Sequence, residues 1–237
     1  MTPVYGLFNT TSAVAGDQRH AVLGSPILEP PAAGQGEAQF GCGCFWGAEK
    51  GFWRLPGVIT TAVGYAGGHL DNPSYAAVCA GHTGHAEVVR VVWDRGMVHF
   101  SDLLRLFWEC HDPTQGNRQG NDRGSQYRSV IYVDDAADLQ LALASRDHYA
   151  GLLGAAARGA ITTEIASGQR FHAAEPYHQQ YLAKPGSRPY CSAQPTGISL
   201  GQFPGAAYQL PDSVWEHYDW SIPHCILRGD NTPIPLP

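Results

Sequence analysis

Apolar positions change their period several times along the chain, and each change marks an element. Ala38 to Gly43 reads as a strand. Phe45, Ala48 and Phe52 then recur at helical spacing, with Trp46 and Trp53 as a neighbouring stripe. This predicts a helix from Cys44 to about Arg54, stopped by Pro56-Gly57. Val58 to Tyr65 is β-rich and ends in the turn signal Ala66-Gly67-Gly68, and residues 67 to 85 read as a long polar loop. Glu87 to Trp93 is apolar on nearly both sides, which predicts a central strand. Ser101 is the predicted N-cap of a helix whose Leu103, Leu104, Phe107 and Trp108 share one face. Beyond the polar HDPTQGNRQGNDRGSQ, a strand is predicted over Tyr127 to Val133 and a helix from about Asp135 to Leu153. A short strand at Ile161 to Ile165 and a short helix at Glu175 to Leu182 complete the pattern.

Strands alternating with helices predict an α/β chain in its α+β two-layer form, a mixed sheet with helices packed against it. Residues 1 to 37 carry Pro26, Pro30 and Pro31 without a clear period and read as an N-terminal extension. Residues 38 to 183 form the domain that holds the candidate catalytic residues. From Lys184 to Pro237 periodicity fades, apart from a turn of helix around Pro211 to Tyr218, which predicts an irregular C-terminal tail.

Composition narrows the function. The net charge of -6 comes with no basic tract, which argues against nucleic acid as a partner. No apolar run approaches the ~18 residues that cross a bilayer, and no basic start followed by an apolar block is visible at the N-terminus. Six cysteines in that setting predict a reducing compartment, the cytoplasm, with free or redox-active thiols.

Cys44 stands where a glycine-flanked strand end meets a helix start. The N–H groups there stabilise a thiolate and lower the thiol pKa, yet a small buried residue at a tight turn fits the position equally well. Phe45 and Trp46 are consecutive on the helix, ~100° apart, so both cannot face one core, and one is free to line an apolar pocket. Glu87 begins the stripe Val89, Val91, Trp93. A carboxyl desolvated there would stay protonated near neutrality, whereas a strand-end glutamate in water would not. Tyr75, Tyr127 and Asp122 lie in or beside polar loops, as surface turn residues or as hydrogen-bonding groups of a pocket. Cys191 and Cys225 sit in the tail, where a thiol on irregular chain can exchange with a partner elsewhere. No Cys-x-x-Cys pair exists, so no metal ligands are assigned and no cofactor is implied. His69, His82 and His85 in one loop leave a weak zinc reading, and Cys42-x-Cys44 a weak metal or redox one. A cysteine hydrolase with a histidine base is a further class these residues permit.

Taken in order, several motifs narrow the choice. They are Gly43-Cys44-Phe45-Trp46-Gly47, Gly64-Tyr65-Ala66-Gly67-Gly68, Asn72-Pro73-Ser74-Tyr75 and Thr83-Gly84-His85-Ala86-Glu87. His111-Asp112-Pro113-Thr114-Gln115-Gly116, Arg118-Gln119-Gly120-Asn121-Asp122, Gln126-Tyr127-Arg128-Ser129 and His178-Gln179-Gln180-Tyr181-Leu182 follow. From about residue 38 to 191 the chain resembles the A-type peptide-methionine (S)-S-oxide reductases. The resemblance implies that Cys44 attacks the sulfoxide sulfur and becomes a sulfenic acid. It implies that Phe45 and Trp46 hold the methyl group and that Asp122 lies near the substrate backbone. Glu87 would act as general acid on the oxygen, helped by Tyr75 and Tyr127. Cys191 matches the resolving cysteine, Cys225 is a candidate for recycling, and thioredoxin or a similar dithiol protein is the implied reductant. The implied substrate is the S epimer of methionine sulfoxide, free or in proteins, and the implied role is repair after oxidative stress. The tail departs from the family: Cys225 lies 34 positions beyond Cys191, and Cys42 and Cys110 stand outside the pattern. Arg123 occupies a position where histidine is more usual.

Overall fold

The computed structural model describes residues 17–237, so the first sixteen residues of the predicted extension lie outside the described residues. β1 (Gln35–Cys42) leads into α1 (Phe45–Trp53), followed by β2 (Val58–Ala66), the short α2 (Tyr75–Cys79) and β3 (Ala86–Asp94). Next come α3 (Phe100–Cys110), the small hairpin β4 (Arg118–Gln119) and β5 (Asp122–Arg123), and β6 (Ser129–Tyr132). α4 (Ala136–Ala155), β7 (Glu164–Ala166), β8 (His172–Ala173) and α5 (Asp212–Trp215) complete the order.

Six strands make one mixed sheet in the order β7-β6-β1-β3-β2-β8. β3 is antiparallel to both β1 and β2, and β6 pairs parallel to β7. The run β1-α1-β2-β3-α3-β6 is therefore a split β-α-β arrangement, with β3 inserted between the two parallel strands that α1 connects. β3 is central and buried nearly throughout, as its two-sided apolar run predicts.

Alternation along the strands sorts the core. Phe40, Val63, Val89, Val91, Trp93 and Ile131 face α1 and α3, where they meet Phe45, Phe52, Leu103 and Phe107. Phe40 stacks on Phe52 at 4.6 Å between centroids and lies 5.8 Å from Phe107. The opposite face buries Val88, Val130 and Tyr132 under Ala166 and Phe171. Residues 27–29 cross that face, where the Arg90 guanidinium donates to the Ile27 and Glu29 carbonyls and pairs with Glu37.

The tail lies across α1 and α3. Glu109 accepts from Ser199 Oγ and the Leu200 N–H, each at 2.8 Å, and Asp102 accepts from the N–H groups of Gln209 and Leu210. Tyr218 donates to the Gly51 carbonyl, and Lys50 donates to that of Gly229. These bonds satisfy backbone groups that irregular chain cannot satisfy by itself. Among the described residues, no helix is long and apolar enough to cross a membrane.

Four expected boundaries move for identifiable reasons. α3 is capped by His99 and not Ser101: the His99 ring accepts the Ser101 N–H while Asp102 accepts the His99 N–H, a capping box two residues earlier. Tyr127 does not begin a strand, because it closes a 3-10 turn over Ser125–Tyr127 and β6 starts at Ser129. The short strand near 161–165 forms at Glu164–Ala166, where it pairs with β6. The helix expected over 175–182 is replaced by turns. Buried Glu49 accepts from both the backbone N–H and the side-chain amide of Gln180, holding Gln180 left-handed at φ 47° and interrupting the helix.

Candidate active site

Gly43 has φ +86° and lies so close to Gln119 that a Cβ there would come within 2.6 Å of it. A glycine is required, and the tight turn it makes delivers Cys44 to the N-cap position of α1. The Cys44 thiol is buried, and its backbone N–H donates to Ser192 Oγ at 3.2 Å, tying the helix start to the tail.

Glu87, on β3, faces the same helix start. Its Oε2 accepts the Phe45 N–H at 3.1 Å. Burial pushes its pKa up to about 8, against the pull of that N–H, with Asp122 adding to the rise. The carboxyl is 2 % exposed, so the solvated strand-end reading does not hold.

Cys44 departs from expectation. Its thiol pKa is raised well above its ordinary value, first by burial and then by the facing Glu87. A backbone N–H, that of Trp46, works in the other direction but does not prevail. The helix start therefore does not hold a preformed thiolate, because removal from water outweighs a single oriented N–H.

Tyr75 and Tyr127 both lie within reach of the Glu87 charge. Burial comes first in raising both hydroxyls, and Glu87 contributes to each. Tyr127 also feels Asp122 and Cys44. Tyr75 opens α2 and is placed by Glu175, whose Oε1 accepts its N–H at 2.8 Å while Oε2 accepts the Tyr65 hydroxyl at 3.0 Å. Asp122 on β5 accepts the Tyr190 hydroxyl at 2.5 Å, so a tail residue adjoining Cys191 holds it.

Phe45 is fully buried and Trp46 half-buried, with their ring centroids 6.5 Å apart, so the pair forms one aromatic surface running from the core outward. His178, unremarkable in sequence, organises this side. Its Nδ1 accepts Trp46 Nε1 at 3.1 Å, and its ring lies 5.1 Å from Phe45 and 4.6 Å from Tyr75. Burial lowers its pKa to about 3, so it is a neutral acceptor. Tyr181 stacks on Trp46 at 3.9 Å, and Tyr190 meets it edge-on at 6.3 Å. Only the motif His178-Gln179-Gln180-Tyr181-Leu182 pointed towards these partners.

The tail brings Cys191 against α1, where Gly47 leaves room: a Cβ on that glycine would come within 2.6 Å of Cys191 Sγ. Cys191 and Cys225 are both buried, each with its thiol raised to about 12 by burial first. Cys225 feels the charge of Cys191, so the chain folds back over the 34-position separation to place the two near each other. All six cysteines are free. Among the described residues, the one group with metal-ligand proximity is Cys42, Cys110 and His111, not the histidine loop and not Cys42 with Cys44.

A mixed sheet with helices against it, carrying a buried thiol opposite a protonated carboxyl and an aromatic wall, is the framework of an α+β oxidoreductase. Residues 36–200 match the family model for peptide methionine sulfoxide reductase. A peptide methionine sulfoxide reductase MsrA of Salinispora arenicola is 56% identical over 184 residues, covering 76% of this chain and 83% of that protein. One from Ectopseudomonas mendocina is 55% identical over 190 residues, covering 80% and 86%. Methionine sulfoxide reductase A of Corynebacterium diphtheriae superposes with a TM-score of 0.69 at 46% identity, over 78% of this chain and 89% of that one. The chain belongs to the peptide methionine sulfoxide reductase family, and it is an oxidoreductase acting on methionine sulfoxide.

Proposed function

We propose that the chain reduces the S epimer of methionine sulfoxide, free or in proteins, by a thiol mechanism centred on Cys44. The observation that carries this reading is the bond from the Phe45 N–H to Glu87, which seats a protonated carboxyl beside the thiol at the start of α1. Sulfoxide sulfur is a poor electrophile until its oxygen is protonated or strongly hydrogen-bonded. Glu87 donates its proton to that oxygen, and the Tyr75 and Tyr127 hydroxyls support it. The Cys44 sulfur attacks the substrate sulfur; the hydroxyl then passes from that sulfur to Cys44 as the S–O bond and the new sulfur–sulfur bond break, and methionine leaves. Cys44 then carries the oxygen as a sulfenic acid, and its former thiol proton resets Glu87. Cys44 and Glu87 both hold their protons at rest, so the thiolate forms only as the substrate oxygen takes up the carboxyl proton.

Phe45 and Trp46 hold the methyl group, and Asp122 lies beside the peptide portion of the substrate. Fixing methyl, oxygen and sulfur at three places selects one configuration at sulfur. Cys191 condenses with the sulfenic acid, releasing water and forming a disulfide. A recess of about 210 Å³ lined by Asn121, Tyr190, Cys191 and His224 supports access for a dithiol reductant such as thioredoxin. Cys225 is the candidate to pass the disulfide outward. The reading fits repair of oxidised proteins.

Assaying Cys44→Ser on each epimer with dithiothreitol tests the proposal. The wild type should consume only the S epimer and the variant neither; full activity in the variant would overturn the role of Cys44.

A further inference from the structure

Two cysteines with no part in that reaction meet behind the site. Cys42 ends β1 and Cys110 ends α3, and their sulfurs and a His111 ring nitrogen all lie within 4.8 Å of one another. All three residues are buried. Cys110 Sγ donates to the Phe107 carbonyl at 3.4 Å and stands 3.9 Å from His111 Nδ1.

The histidine decides between metal and dithiol. His111 Nδ1 lies 2.7 Å from the Phe107 carbonyl, which can only accept, so Nδ1 carries the ring proton. Its Nε2 lies 2.8 Å from Ser129 Oγ and accepts a hydrogen bond from that hydroxyl. Neither nitrogen offers a lone pair to an ion, and two thiols alone make a poor site for zinc. What remains is a pair of adjacent thiols.

The pair has a neighbour that could oxidise it. Cys110 lies close enough to Cys191 and to Cys225 to raise the pKa of each. Cys191 in turn is felt by Cys44. The backbone agrees: Ser192, next to Cys191, accepts the Cys44 N–H at 3.2 Å and lies 3.0 Å from where a Cβ on Gly43 would stand, so the tail brings Cys191 to the end of β1 that Cys42 closes.

We propose that Cys42 and Cys110 form a second dithiol–disulfide couple, oxidised by exchange with the disulfide that turnover places on Cys191. This rests on the resolving role proposed above for Cys191. In the first step the Cys110 sulfur attacks the Cys191 sulfur of the Cys44–Cys191 disulfide. A Cys110–Cys191 bond forms, and Cys44 leaves and takes up the proton Cys110 has lost. In the second step the Cys42 sulfur attacks Cys110; the Cys42–Cys110 bond forms and Cys191 leaves as a thiol. Two thiols are oxidised, one disulfide is reduced, and no outside oxidant beyond the sulfoxide is needed. Cys44 is then free for another sulfoxide before any reductant arrives.

Reduced protein given excess S-epimer sulfoxide and no reductant tests this by counting methionine released per chain and mapping disulfides by mass spectrometry. The wild type should release one methionine more per chain than Cys42→Ala or Cys110→Ala and should show a Cys42–Cys110 linkage. Should either variant fail to fold, the wild-type disulfide map decides alone. Cys191 linked to Cys44 or Cys225, with Cys42 and Cys110 still free and no extra methionine, overturns the couple and leaves the resolving role standing. A Cys42–Cys110 linkage that forms equally in Cys191→Ser overturns the resolving route and retains the couple.

Discussion

The Phe45 N–H donates to Glu87 Oε2 across 3.1 Å, joining the residue after the thiol to a carboxyl 42 positions away. That bond ties the start of α1 to the middle strand of the sheet. With Oε2 taken by that N–H, the carboxyl is held against the first turn of α1, next to Cys44 at its N-cap.

Glu87→Gln keeps a hydrogen-bonding amide but removes the transferable proton. General acids contribute typically about 10²–10⁴-fold, and a loss in the single-turnover rate within that range is expected. With its pKa pushed up to about 8, Glu87 is in acid form below that pH, so wild-type activity should fall above it. The variant should lack this alkaline limb. A pH–rate profile unchanged by the substitution would exclude Glu87 as the acid.

Trp46 and His178 should differ in degree. Trp46→Ala removes an aromatic wall, and losing its burial corresponds to roughly 10–100-fold in KM for the sulfoxide. His178→Ala removes the 3.1 Å bond that orients the indole, so KM should rise by roughly 3–10-fold. Steady-state kinetics on free methionine sulfoxide separate the two, and a KM unmoved in both variants would remove the methyl-binding role.

Gly47→Ala would press a Cβ against Cys191, 2.6 Å from Sγ and 3.1 Å from its Cβ. Cys191 must move off α1. The first methionine should still form while the Cys44–Cys191 disulfide appears more slowly. Quenched-flow thiol counting reads both, and equal disulfide formation would show that contact with α1 is not needed for resolution.

Asp102→Ala removes the carboxylate that caps α3 and accepts the Gln209 and Leu210 N–H groups. A cap plus buried charge-assisted bonds amounts to roughly 2–4 kcal/mol. Urea unfolding should show that loss, and a change below about 0.5 kcal/mol would mean water replaces the carboxylate at no cost.

Stability should also depend on pH through two buried acids. Glu87 and Glu49 are raised from 4.5 to about 8 and about 7, burial being the first cause in each. Each carboxyl adds a contribution that declines as pH rises from about 4.5 through 7 to 8, while buried His20 and His178, lowered to about 3, add one that grows up to about 6.5, so the acids are read from a difference between variants. The Tm of Glu49→Gln relative to wild type should climb as pH rises from about 4.5 to 7, and a difference that stays constant across that window would contradict the burial of Glu49.

Local pattern was sufficient wherever an element is amphipathic and ends on its own residues. α1 is legible from Phe45, Ala48, Phe52 and the Pro56-Gly57 stop, and the face shared by Glu87, Val89, Val91 and Trp93 follows from strand alternation alone. The sequence also carried the family, because its motifs record a whole site in order. Local pattern was insufficient where a distant group took over the backbone. Gln180 leaves the helix its neighbours would form because Glu49, 131 positions earlier, binds it.

Protonation belongs to tertiary structure as well. Cys44 at a helix start reads as a lowered pKa, and only the packing of β3, the tail and α1 around it shows that burial beside Glu87 prevails. Likewise Cys42 and Cys110 are unrelated in the chain and meet only because β1 and α3 end at the same point of the core. The sequence by itself determined the main amphipathic helices and apolar strands and the family to which the chain belongs, because periodicity and motif are local properties. Tertiary structure decided the direction of the pKa shifts, the partners of Trp46 and the closeness of Cys42 to Cys110, because desolvation and contact depend on groups that only the fold brings within a few ångströms.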